Sequence, residues 1–259
     1  MELTNQRISL TGCLSLSWQH IRGIKTAVWL GYTICLLIAL IVNHVISLKI
    51  SPPSLETNFW FQIPLKSLII LQLFSSILVA PLITGILKTC VNHCNQQAVL
   101  LSNIFSCFKY TIKLSAALFV ITLTANIANI GVYYYMVNTH QHTSWLQLLS
   151  VIFYPYLIYS LFALTLPLIY FKKLNIPQAF KQSMQTMTKK RNWLVLSSIY
   201  LLIFSTFVFS ITPLVAGIIL NTSLLMGIGL LFFILVTAYC VPYMYLVNAI
   251  VYIKLVDQN

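Results

Sequence analysis

Acidic side chains are nearly missing from this sequence: of 259 residues only Glu2, Glu56 and Asp257 are acidic. Charge of either sign is scarce as well, at 7%, where a soluble domain carries about 25%. A surface so poor in charge cannot be covered by water, so most of the exterior must meet lipid. The shortage also excludes chemistry. Hard divalent cations take oxygen ligands, mainly carboxylates, and no Asp-x-x-Asp or comparable pair occurs. Magnesium-dependent transfer onto phospholipids or prenyl phosphates therefore has no ligand set. No Gly-x-Ser-x-Gly elbow is present, and no Cys-x2-Cys pair. The deep parts of the apolar stretches hold no ionisable residue of the kind that proton- or ion-coupled transport commonly uses. No polar stretch is long enough for a separate soluble domain, so residues 1–259 read as one membrane domain.

What the chain has in quantity is apolar sequence. Hydrophobic residues make up 59% and the mean hydropathy is +0.89. Six stretches reach the roughly 20 residues that cross a bilayer: 27–48, 67–87, 114–137, 145–171, 193–220 and 224–253. The predicted fold is an all-α polytopic membrane helix bundle of about six spans. The last three stretches are long, which predicts tilt or kinks, and Pro81, Pro155, Pro213 and Pro242 fall inside spans.

The 15 Lys and Arg residues assign the sides. Arg7, Arg22, Lys25, Lys88, Lys109, Lys113, Lys172, Lys173, Lys181, Lys189, Lys190, Arg191 and Lys254 fall on one side of a six-span path. Lys49 and Lys66 fall on the other. Basic loops stay cytoplasmic, so both termini are expected in the cytoplasm, and a bacterial inner membrane is the expected location. The same asymmetry explains the net charge of +12 without nucleic acid as a partner. No cysteine lies in an outer loop, so no disulfide framework is expected. The first span exceeds a signal-peptide core and lacks a clear small-residue cleavage site.

Short amphipathic segments precede the odd-numbered spans. Leu10, Leu14, Trp18 and Ile21 share a helical face, as do Phe105, Phe108 and Ile112. In the third segment Ile176, Phe180, Met184 and Met187 line one side, with Asn175 as cap and Pro177 in the first turn. Helices of this kind lie in the interface with Lys and Arg toward anionic headgroups. Surface helix plus transmembrane hairpin, used three times, is the repeated unit this suggests.

Two segments carry a family resemblance. APLITGILKTCVNHCNQQAVLLSNIFSCFKY contains Pro81, Gly85, Phe105 and Phe108, while LPLIYFKKLNIPQAFKQSMQTMTKKRNWLVL contains Pro167, Ala179, Ser183 and Arg191–Asn192–Trp193. Both resemble signatures of a bacterial superfamily of uncharacterised six-helix membrane proteins, which includes the membrane domain fused to some glycerophosphodiester phosphodiesterases. The resemblance implies the architecture. It does not carry over the phosphodiesterase activity, whose domain is not in this sequence.

Few residues suggest chemistry of their own. Cys90, His93 and Cys94 share a helical face, with Cys107 as a conceivable fourth ligand, but a structural zinc site needs a better-paired set. His44, His140 and His142 lie at an interface or in a short loop. Gln72, Asn126, Asn129 and Asn248 are the polar intramembrane residues, expected mainly as inter-helix hydrogen-bond formers. No catalytic, metal or cofactor site is assigned. Lys172, Lys173, Lys181, Lys189, Lys190 and Arg191 are the expected headgroup contacts. The expected role is non-enzymatic, organising membrane lipids or a membrane-protein partner. An ion-independent permease for a small molecule or lipid is the alternative, and an intramembrane enzyme the weaker one.

Overall fold

A computed structural model describes residues 9–50, 65–139, 153–220 and 222–257. All regular structure among them is helical. In order these are α1 Leu10–His20, α2 Lys25–Ile50, α3 Leu65–Cys94, the single turn α4 Ser102–Phe105 and a 3-10 turn Ser106–Tyr110. Then come α5 Thr111–Thr139, α6 Tyr154–Leu161, α7 Thr165–Phe171, α8 Ile176–Thr188, α9 Asn192–Ile219 and α10 Ser223–Tyr252. Five stretches are long and apolar enough to cross a membrane, and a sixth is the pair α1–α2, bent by 99°. The chain is a multi-pass membrane helix bundle.

Local chemistry sets the helix ends. Ser9 caps α1, its hydroxyl accepting from the Gly12 amide at 3.1 Å, which satisfies one of the amides a helix start leaves free. At the end of α3 the Gln97 amide donates to the Asn92 carbonyl at 2.8 Å and the Gln96 amide to the His93 carbonyl at 3.0 Å. Gln96 sits between them at φ 58°, the left-handed residue that such a stop requires.

Three units can be traced, the middle one opening on a short turn, and their contacts run in a cycle. Unit one is α1, α2 and α3; unit two is α4, α5 and α6–α7; unit three is α8, α9 and α10. Each short helix packs on the second transmembrane element of the unit before it: α4 on α3, α8 on α7, and α1 on α10. The long helices follow the same rule, with α3 against α5, α6 against α9, and α10 back against α2. At the centre α3 touches both α7 and α10, and Phe171 of α7 stacks on Tyr252 of α10 with ring centres 5.1 Å apart. Each of these three inner elements carries a buried proline: Pro81, Pro167 and Pro242.

The prolines are tied into the packing. Proline has no N–H, so the carbonyl four residues back loses its helical partner. For Pro81 that carbonyl belongs to Ile77, and the Ser115 hydroxyl of α5 donates to it at 3.3 Å. Gly85, one turn on, lets α3 meet the backbone of α4. A Cβ there would overlap the Ile104 carbonyl.

The basic segments gather at one end of the bundle. Tyr243 donates to the Leu14 carbonyl at 2.7 Å and His93 Nε2 lies 2.9 Å from the His20 carbonyl. Tyr110 meets Tyr170 edge-on at 5.6 Å. The buried core concentrates there too, in Leu82–Val91, Ile104–Ala117, Leu164–Ile169 and Val241–Tyr252.

Three expectations change. The span read as 145–171 is broken at 162–164, between α6 and α7, and its start lies outside the described residues. The second surface segment is one α-turn plus a 3-10 turn running straight into α5, not a separate amphipathic helix. Asn175 occupies the cap position of α8, but its side chain makes no capping bond. The side of the surface helices turned toward the protein is mostly small: in α1 it is Cys13 and Ser17, leaving Trp18 63% exposed, and in α8 it is Ala179, Ser183 and Met187, leaving Met184 51% exposed. Small residues let helices approach closely where the surroundings are already apolar, so they take the contact and larger side chains face outward.

Candidate lipid-facing collar

The expected headgroup residues sit around the docked helix α8. Pro177 lies in its first turn, where a missing amide costs nothing. Ala179, Ser183 and Met187 press its inner side onto α7, and Phe162 meets Phe180 edge-on at 5.0 Å. Ser183 fills the break in span four. At that break the Thr165 amide turns to the Phe162 carbonyl, and the Leu161 carbonyl accepts from the Ser183 hydroxyl at 2.9 Å.

With that side buried, Lys181 faces outward, and Lys172, Lys173, Lys189 and Arg191 are exposed around it. The Lys190 side chain lies outside the described part. Lys173 at φ 54° and Arg191 at φ 57° occupy left-handed backbone at the two ends of the segment, turning the chain from α7 into α8 and from α8 into α9. Asn192 follows, buried. Its Nδ2 donates to the Thr186 carbonyl at 3.4 Å, while its Oδ1 has no hydrogen-bond partner among the described residues.

The remaining basic residues join the collar from the other units. Lys25 reaches the Tyr239 hydroxyl at 3.3 Å and lies over that ring, 4.7 Å from its centre. Lys88 donates to the Ser106 hydroxyl at 2.8 Å and lies 5.4 Å from the Tyr170 ring centre. Lys109 sits over Tyr110 at 5.3 Å. Lys254 stands near the buried thiol of Cys13. Beside these cations, Leu100, Leu101, Phe105, Phe108 and Ile112 are exposed, Ile112 by 86%. Such a rim pairs an apolar shelf with positive charge, which suits a headgroup interface.

The other candidates have structural partners. Asn248 of α10 accepts from the Tyr200 hydroxyl of α9 at 2.5 Å, the inter-helix bond expected of it. Asn126 donates to the Thr122 carbonyl of its own helix at 2.8 Å. The side chains of Gln72, Asn129 and His44 lie outside the described part, as do residues His140 and His142. Cys90 is fully buried, and His93 faces His20 edge-on at 6.0 Å. Among the described residues no group of three His, Cys, Asp or Glu could hold a metal ion. Sequence reading passed over Ser115 and the partnership of Lys88 with Ser106. Serine after a lysine-flanked turn carried no pattern that marked either.

No family model, curated protein or solved structure matches this chain.

Proposed function

We propose that this multi-pass membrane protein is a non-enzymatic organiser of anionic lipid, seated in a bacterial inner membrane with its basic end toward the cytoplasm. The observation that carries this reading is the collar: surface segments from all three units gather at one end of the bundle, with exposed cations beside exposed apolar side chains. Each lysine or arginine near an anionic leaflet gains about 1 kcal/mol, screened by salt. Membrane-protein partners are a further part of the proposal, since the same surface suits an acidic juxtamembrane segment.

Two observations support an organiser over its rivals. Of the span prolines, Pro81 and Pro242 are buried and Pro155 and Pro213 half-buried, and the carbonyl freed by Pro81 has a partner in Ser115. Cys90 and Cys107 are buried, Cys94 is half-buried and His93 is bonded to the His20 carbonyl, which favours packing tasks for this cluster. Placement beside the six-helix superfamily belongs to this proposal too. It rests on Pro81, Gly85, Pro167, Ala179 and Ser183, each of which has a packing task here.

The test is reconstitution of the whole chain with spin-labelled phosphatidylglycerol or phosphatidylcholine, measuring the fraction of label immobilised at the protein. Anionic label should be enriched, less so at high salt. Changing Lys189, Lys190 and Arg191 to Gln should remove much of the enrichment, up to roughly 3 kcal/mol of attraction. Equal immobilisation of both labels by the unaltered chain would sink the reading.

A further inference from the structure

The junction between α3 and the turn that opens unit two presents a built cluster. Lys88 is half-buried, its ammonium donating to Ser106 at 2.8 Å. Ser106 in turn donates to the Asn103 carbonyl at 2.7 Å, so that hydroxyl is held in place. Tyr170 from α7 closes one side, under the ammonium and edge-on to Tyr110. Lys109 approaches from the turn, and the charges of both lysines reach the buried Cys107 between them.

Everything Lys88 meets among the described residues is neutral: a hydroxyl, an aromatic ring and a thiol. A cation partly withdrawn from water without an anion is unfavourable, and the sequence has only three carboxylates to offer. Next to the two ammonium groups runs an apolar shelf of Phe105, Phe108 and Ile112, all exposed, with the two phenylalanine rings stacked at 6.3 Å. Charge above and bare hydrocarbon beside it match one kind of ligand, an anionic amphiphile.

We propose that Lys88 and Lys109, with Ser106 holding the Lys88 ammonium in place, form a discrete site for the phosphate of an anionic phospholipid, whose acyl chains lie along Phe105, Phe108 and Ile112. The proposal rests on the lipid-organising reading and sharpens it from a diffuse collar to one held molecule. The phosphate replaces the missing counter-charge of Lys88 and takes charge-assisted hydrogen bonds from both lysines.

Native mass spectrometry of the full chain in mild detergent, supplied with phosphatidylglycerol or phosphatidylcholine, tests it. The unaltered chain should retain one phosphatidylglycerol in preference to phosphatidylcholine. Lys88→Gln and Lys109→Gln should each weaken retention about five-fold, and the double variant about thirty-fold, the factors for about 1 kcal/mol per lysine. Lys88→Arg should keep the lipid. Lys109 is exposed, so Lys109→Gln reads the site even if Lys88→Gln folds poorly. Retention unchanged in Lys109→Gln and the double variant would overturn the site while the spin-label enrichment still stood. Absence of any retained phosphatidylglycerol on the unaltered chain would overturn it as well. Displacement of the lipid by millimolar inorganic phosphate would reassign the cluster to a free anion and end the lipid proposal.

Discussion

At the residue scale, Gly85 carries the tightest constraint. Its missing Cβ is the space in which the Ile104 backbone sits, and backbone cannot swing aside as a side chain can. Gly85→Ala should destabilise by about 1–3 kcal/mol, the usual cost of forcing atoms into a packed site. Gly31 is the comparison. Its nearest neighbours are the Ile86 and Ile104 side chains at 3.0–3.2 Å, which can rotate, so Gly31→Ala should cost less. Thermal unfolding of the two variants in detergent measures the difference, and equal midpoints would refute the close approach. Gln96 makes the opposite case. A side chain at φ 58° is strained by roughly 1–2 kcal/mol, so Gln96→Gly should raise the unfolding temperature. Gly85 was visible in the sequence as a small step after Pro81, but its task was not. The carbonyl it admits is 19 residues on, and no spacing rule connects them. Gln96 left no trace because the residue expected at that position is glycine.

Among the elements, the surface helices show where sequence reading holds and where it gives way. Their existence was legible from helical spacing, and the start of α8 from Pro177. The small residues on their protein side were not, because hydropathy picks out Trp18 and Met184 and passes over Ser17 and Ser183. That ranking applies to transfer out of water. Against a bundle immersed in lipid, close backbone approach and an available hydroxyl matter more. The break in span four was hidden for a related reason: Phe162–Leu164 is as apolar as its flanks, and only the Ser183 hydrogen bond to Leu161 reveals what replaces the helical one. Ser183→Ala should leave that carbonyl buried and unpaired, at about 1–3 kcal/mol. The loss should be local. Amide hydrogen exchange should speed up across Ile176–Thr188 while the α9–α10 hairpin, joined by Tyr200 and Asn248, keeps its protection. Equal acceleration in both regions would mean that α8 is not a separately docked element.

For the whole molecule, the cycle of three units explains why the basic residues gather. Each short helix docks on the second transmembrane element of the unit before it, so all three must lie at the same end of the bundle. Lys88, Lys172, Lys173 and Lys254 cap the inner helices at that end. The far ends of the hairpin helices then lie opposite, where the sequence places only Lys49 and Lys66. Helix packing thus puts the basic segments at one end of the bundle, and retention of positive loops predicts that this end is cytoplasmic. Reporter fusions after Gln97 and Lys172 should therefore read the cytoplasm, and fusions after Thr139 and Thr222 the far side. The fusion at Thr139 is the most exacting, because α5 ends there and the next described helix returns only at Tyr154. A cytoplasmic reading at Thr139 with an external one at Lys172 would invert unit two against its neighbours. In that case the turn that opens unit two would leave the end at which α3 stops, Lys88 could not meet Ser106, and the cyclic packing would be wrong as a whole.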